Sequence, residues 1–179
     1  MRAHKYPPNY TVAEYQKWDG EWELIDGYPY AMSPSGTIRH QRVAGEVNYE
    51  LRLQLKEANP ACYKCCSVTS LDWIVDHHNV VRPDIVVTYD QTDDYITKPP
   101  ILIVEVLSPA TALKDRHLKY EIYEEQGVRY YVIIDPETKQ FNIFELSNGQ
   151  YQEHNNIHTF IIENECSIAI NLEELLAAI

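Results

Sequence analysis

No run of this sequence approaches the ~18 consecutive apolar residues of a membrane span, which sets aside a helical membrane protein. No apolar segment follows the charges of Met1-Arg2-Ala3-His4-Lys5-Tyr6-Pro7-Pro8 either, so the N-terminus does not read as a secretory signal. A cytoplasmic location follows as the expectation, and with it reduced thiols at the four cysteines. Basic residues are scarce: 15 Lys and Arg stand against 27 Asp and Glu, for a net charge of −12. Affinity for nucleic acid comes largely from neutralising phosphates, so a grip through a broad basic surface is disfavoured. A nuclease is not excluded, because clustered carboxylates add to the negative count and bound divalent cations offset them locally. Repeats, low-complexity tracts and linkers are absent, so residues 1–179 parse as a single domain, long enough for a real core. The 45% hydrophobic content fits a folded globule.

The cysteines carry little chemistry at this level. Cys62, Cys65 and Cys66 cluster, while Cys166 stands alone. Cys62-x-x-Cys65 is half of a zinc pattern, but no second ligand pair has the required spacing and His77-His78 lies in a turn. Buried or strand-end thiols are the expectation.

Thr11-Val12-Ala13-Glu14 is a capping box, predicting a short helix over 12–18. Trp22 to Ile25, Asp26-Gly27 and Tyr28 to Met32 read as a hairpin around a tight turn, and Ser33 to Gly36 as a loop. Val43, Val47, Leu51 and Leu55 make one apolar stripe of a long helix over 38–58, stopped by Asn59-Pro60. Strands are expected over 66–75 and 80–89, joined by Asp76-His77-His78-Asn79. The run 101–107 is apolar apart from Glu105, the pattern of a central strand covered on both faces. A helix over 111–126 ending at Gly127 follows, then a strand over 128–134 and a hairpin with Asn148-Gly149 at its second turn. Asn171 caps a terminal helix. The fold class is mixed α/β, a central mixed sheet with the long helix on one face and the 111–126 helix on the other.

Within this frame the acids stand out. A carboxylate inside a greasy strand is costly to bury unless it is paired or binds a metal. Asp84 opens one strand and Glu105 nearly ends another. If those strands are antiparallel neighbours, both carboxylates reach one edge of the sheet. Hard oxygen ligands there suit Mg²⁺ or Mn²⁺ rather than zinc. Such a cation polarises a phosphate and lowers the pKa of a bound water. The plainer readings are that Asp84 caps a turn and that Glu105 pairs with Arg82 or Lys119. Asp115 and Lys119 lie four apart on one helical face, with Tyr123 next along it, as in an ordinary i,i+4 ion pair.

These residues resemble the PD-(D/E)XK nuclease superfamily, with one departure. The usual lysine, two positions after the acid, is Leu107 here. Pro83-Asp84-Ile85-Val86-Val87, then Val104-Glu105-Val106-Leu107-Ser108-Pro109-Ala110-Thr111, Asp115-Arg116 with Lys119 and Tyr123, and Tyr131-Val132-Ile133-Ile134-Asp135-Pro136 are similar in order and spacing to the Uma-two family of restriction-endonuclease-like proteins. Trp22-Glu23-Leu24-Ile25-Asp26-Gly27 and His40 look like that family's opening, so the likeness covers nearly the whole chain. The resemblance implies a Mg²⁺-dependent endonuclease with DNA as substrate, a divalent metal at Asp84 and Glu105 with Val106 beside them, and Lys119 as the displaced catalytic lysine. Auxiliary candidates are Glu46, an extra acid on the long helix, His40 at its start, and Asp115. Nucleases of this type commonly act as dimers, and the tyrosine-rich strand 128–134 or the hairpin after it is the candidate homodimer interface. Two rival readings remain: a catalytically silent module binding a protein partner, favoured by the charge, and a phosphohydrolase acting on small phosphoesters.

Overall fold

The computed structural model describes residues 7–32, 36–58, 62–91, 93–154, 159–163 and 166–179. Residues 33–35 of the expected loop and the Asn59-Pro60 helix stop lie outside the described residues. The capping box at Thr11 forms, with Glu14 accepting from the Thr11 amide at 2.8 Å, and opens a short α1 (Val12–Tyr15). Strands β1 (Trp22–Ile25) and β2 (Tyr28–Ala31) pair across Asp26-Gly27, both at positive φ. The long helix α2 (Ile38–Glu57) is capped by the Thr37 hydroxyl and buries Val43, Val47, Leu51 and Leu55 as its spacing predicts.

The central sheet has six strands in the order β10-β9-β8-β7-β6-β3. These are β3 (Cys65–Thr69), β6 (Ile85–Tyr89), β7 (Leu102–Val106), β8 (Tyr130–Ile134), β9 (Phe141–Ser147) and β10 (Gln150–His154). β7 and β8 run parallel and the other pairs antiparallel, so the sheet is mixed. β7 is wholly buried, its side chains alternating between two cores. Val104 and Val106 pack with α2, while Ile103 packs with Tyr123 and Tyr131 on the opposite face.

Two expected strands break in the middle. Residues 66–75 divide into β3 and β4 (Trp73–Ile74) at Ser70, whose φ is +51° and whose amide donates to Asp84 O. Residues 80–89 divide into β5 (Val80–Val81) and β6 at Arg82-Pro83-Asp84. β4 and β5 join β1 and β2 in a second, four-stranded sheet. Proline has no N–H for a ladder, so Pro83 is a natural point for the chain to leave one sheet and enter another.

The 111–126 helix is also interrupted. α3 (Ala112–Lys114) passes through a π-helical turn, Asp115–Lys119, into α4 (Tyr120–Glu125), which ends at Gly127 with φ +80°. The cause is tertiary: the Tyr131 hydroxyl, from β8, donates to the Asp115 carbonyl at 2.8 Å. A side chain captures an acceptor that a regular ladder would use, and the ladder widens. The hairpin β11 (Thr159–Glu163) and β12 (Cys166–Ala169) and helix α5 (Leu172–Ala178) close the chain, with Asn171 accepting from Glu174 N.

Two further expectations are corrected. β8 lies inside the sheet and is buried along its length, so it offers no dimer surface; of the two candidates it is the hairpin β9–β10 that reaches an edge. Cys62 and Cys166 form a disulfide, which replaces the expectation of four free thiols; Cys65 and Cys66 are free. Spacing gave no hint because the pair is 104 residues apart.

Candidate active site

The break at Pro83 builds the site. Peptide donors released from the ladder there are taken by carboxylates: Arg82 N donates to Glu23 Oε1 at 2.8 Å and Asp84 N to Glu105 Oε2 at 3.3 Å. The antiparallel pairing of β6 with β7 puts Asp84 beside Glu105, as the sequence argument required. Asp84 Oδ2 in turn accepts from Val106 N at 2.8 Å. The Val106 amide thus holds an acid, and its side chain belongs to the α2-side core.

Lys119 points inward. Its Nζ lies 2.9 Å from Glu105 Oε1, 2.9 Å from Glu23 Oε1 and 3.4 Å from Asp115 Oδ1, with 3% of the side chain exposed. Burial alone works against the ammonium, but Glu105, Glu23 and Asp115 together push its pKa well above the usual lysine value. Burial raises the Glu105 carboxyl well above the ordinary carboxylate range, aided by Asp115 and Asp84 and opposed by Lys119. Asp115 shifts up for the same first reason, loss of solvent. Glu23 is equally buried yet lies below its ordinary value, since Lys119 and Lys114 outweigh desolvation. Lys114 completes the set as an ion pair with Glu23 Oε2.

Aromatic groups fix the acid's orientation. The Tyr123 hydroxyl donates to Glu105 Oε1 at 2.8 Å, and Trp73 stacks on the Tyr123 ring at 5.8 Å between centroids. His40, from α2, places Nε2 3.3 Å from Asp84 Oδ2, and this contact raises its pKa against the effect of burial. Gly36 makes room for the ring, because a Cβ there would come within 2.7 Å of His40 Nδ1.

Of the candidate residues, Asp84, Glu105, Lys119, Asp115, His40 and the Val106 backbone converge. Glu46 does not: it is exposed on α2, at a groove shared with Asn171 and Leu175. Arg82 turns its guanidinium outward to Asp72 at 2.6 Å and to Glu21, leaving Glu105 to Lys119. Sequence reasoning missed Glu23, Lys114 and Trp73. Glu23 carried a signal, an acid in the strand Trp22–Ile25 next to Leu24 and Ile25, which is the burial conflict that singled out Glu105. Lys114 and Trp73 carried none, since their partners are distant in sequence.

The cluster meets solvent at Asp84, whose side chain is 25% exposed. The donor set fits a hard cation. Among the described residues the buried Asp115 Oδ1 has no hydrogen-bond partner, only the Lys119 charge at 3.4 Å, and Glu105 Oε2 meets the Asp84 amide at 3.3 Å.

Comparison with known proteins bears on the family and the fold. The family described as "Uma2: Putative restriction endonuclease" matches residues 12–171. An uncharacterised protein of Synechocystis sp. is 32% identical over 127 residues, which spans 65% of this chain and 63% of that protein. A crystal structure from Anabaena variabilis, described as a "putative nuclease belonging to DUF820", superposes with a TM-score of 0.69 at 17% identity, covering 93% of this chain and 98% of the other. At that identity the likeness speaks for the fold.

Proposed function

The chain belongs to the Uma2 family of restriction-endonuclease-like proteins, and from that premise we propose that it is a Mg²⁺- or Mn²⁺-dependent nuclease hydrolysing phosphodiester bonds of DNA. One observation carries the reading. Four carboxylates, Glu23, Asp84, Glu105 and Asp115, outnumber the two ammonium groups among them, Lys114 and Lys119, and solvent reaches the set at Asp84. That excess suits a divalent cation, and carboxylate oxygens are its preferred ligands.

Asp84 and Glu105 would hold the cation, with the Val106 backbone beside them. A hard cation bound there supplies Lewis acidity toward a phosphate oxygen and toward a water. The chain's own groups do the rest. Lys119 keeps its proton and presents a fixed positive charge beside Glu105, which stabilises negative charge developing on the phosphate. Tyr123 holds Glu105 in one orientation, and His40 and the Val106 amide hold Asp84. The displaced lysine therefore reaches from a helix the acid that the usual strand lysine would neighbour.

A supercoiled-plasmid nicking assay tests this reading. Conversion is expected with Mg²⁺ or Mn²⁺, none with chelator, and none from Asp84→Ala or Glu105→Ala. Divalent binding without nicking, but with turnover of a small phosphodiester, would move the assignment to a phosphohydrolase. The net charge of −12 favours a second reading, a silent nuclease-fold module that binds a protein partner, and calorimetry with no Mn²⁺ binding would decide for it. A homodimer through the β9–β10 hairpin is the assembly we propose, checked by sedimentation of the wild type.

A further inference from the structure

Three cysteines meet at the end of β6 opposite Asp84. Cys62 opens the turn that leads into β3, Cys65 opens β3 beside Tyr89 of β6, and Cys166 opens β12. The Cys65 amide donates to Cys62 O at 2.9 Å, which folds the Cys62-x-x-Cys65 segment into a tight turn. The three sulfurs lie within 4.8 Å of one another, and Cys65 Sγ is 3.6 Å from Cys166 Sγ. Tetrahedral coordination with Zn–S bonds of ~2.3 Å separates sulfurs by about 3.8 Å, close to the Cys65–Cys166 distance. The fold thus supplies the third thiol that sequence spacing lacks.

Burial raises the Cys65 thiol above its ordinary value, with Cys66 and Glu163 adding to the shift, so a thiolate there needs a cation's charge beside it. A groove of about 530 Å³ is lined by Cys62 and Cys65 together with Arg52 and Lys56. Three thiolates around a divalent cation carry one net negative charge, which those two cations offset. The groove also gives a cation a way in and leaves a coordination position open to solvent. Cys66 is the next residue along β3, yet its sulfur is engaged elsewhere, 3.1 Å from Thr88 Oγ1.

We propose that the reduced protein binds one thiophilic divalent cation, Zn²⁺, through Cys62, Cys65 and Cys166, with the fourth position filled from solvent. The Cys62–Cys166 disulfide and the metal-bound cluster are alternative states of one site. A dithiol interconverts them: it gives two electrons and two protons to the sulfur–sulfur bond and becomes a disulfide itself. Each of the three thiols then releases one proton as its thiolate takes the cation. The site is independent of the acids at Asp84 and Glu105.

The test is an anaerobic Co²⁺ titration of the dithiol-reduced protein, freed of excess reductant. One equivalent should produce thiolate-to-cobalt charge-transfer bands, which carboxylate ligands do not give, and Zn²⁺ should bleach them. Cys65→Ser should weaken binding by more than the ~10–100-fold typical of losing an outer-shell partner. Cys66→Ser and Asp84→Ala should leave it unchanged. A second measurement needs no variant: in the reduced protein an alkylating reagent should modify both Cys65 and Cys66, and with Zn²⁺ present Cys66 alone. Absence of charge-transfer bands, unaltered affinity in Cys65→Ser, or Cys65 alkylated as readily with Zn²⁺ as without it would overturn the site.

Discussion

The Lys119 ammonium sits among Glu23, Glu105 and Asp115 with 3% exposure, so removing it leaves three buried carboxylates without their common counter-charge. Removing one partner from such a buried set costs about 3–5 kcal/mol, against about 0–1 kcal/mol for an exposed pair. Lys119→Met is therefore expected to lose several kcal/mol in urea unfolding, and Glu105→Gln on that background to recover part of it. A loss under about 1 kcal/mol would mean the ammonium is not the hub of the cluster. The pH response follows from the same contacts. His40 is raised in the fold by Asp84, with Asp115 adding to the shift, so its stabilisation is complete below its unfolded value near ~6.5 and disappears as pH rises through the folded one. The stability difference between wild type and His40→Gln should be largest near pH ~6 and shrink toward pH ~9. A difference that grows with pH would remove the His40–Asp84 contact from the account.

Turns decide whether these residues meet, and two glycines separate the ways a turn can fail. At Gly127, φ is +80° and a Cβ would touch nothing, so Gly127→Ala should cost about 1 kcal/mol through backbone strain alone. At Gly36 a Cβ would collide with the His40 ring, so Gly36→Ala should move the ring off Asp84. The NMR titration of His40 should then fall back toward an ordinary histidine value; an unmoved titration would show that the ring keeps its place. Elements governed by local pattern were legible from sequence: the α2 stripe, the Asp26-Gly27 and Asn148-Gly149 turns, the caps at Thr11 and Asn171, and the apolar run of β7. The sequence period could not reveal the π-helical turn, because its cause is a hydroxyl on β8 that reaches the Asp115 carbonyl. The breaks at Ser70 and Pro83 were likewise hidden, since they depend on which sheet accepts each half of the strand. The site was legible in its acids and lysine but not in its enclosure. Glu23 and Lys114 come from distant segments that meet only once the second sheet has formed.

Across the whole molecule, the net charge of −12 makes the approach of another polyanion unfavourable, and a divalent cation is what the acid cluster can add to change that locally. A ligand that binds only the folded protein stabilises it by mass action, by about 2.7 kcal/mol at a concentration of 100 Kd. Mn²⁺ should therefore raise the melting temperature of the wild type in a concentration-dependent way. Asp84→Asn and Glu105→Gln each remove one of the two carboxylate ligands proposed for the cation, and each should abolish most of that rise. Both variants should nonetheless fold without metal. In the metal-free protein Glu105 is held against desolvation and two neighbouring acids, so neutralising it relieves strain in the cluster. Glu105→Gln should then match or exceed the wild type's metal-free stability at neutral pH while losing its response to Mn²⁺. Because the thiol cluster lies at the other end of β6, the comparison is made without reductant, where the Cys62–Cys166 disulfide keeps two of its three sulfurs from a cation. A wild-type melting temperature indifferent to Mn²⁺ under those conditions, or an equal rise in all three proteins, would detach Asp84 and Glu105 from metal binding.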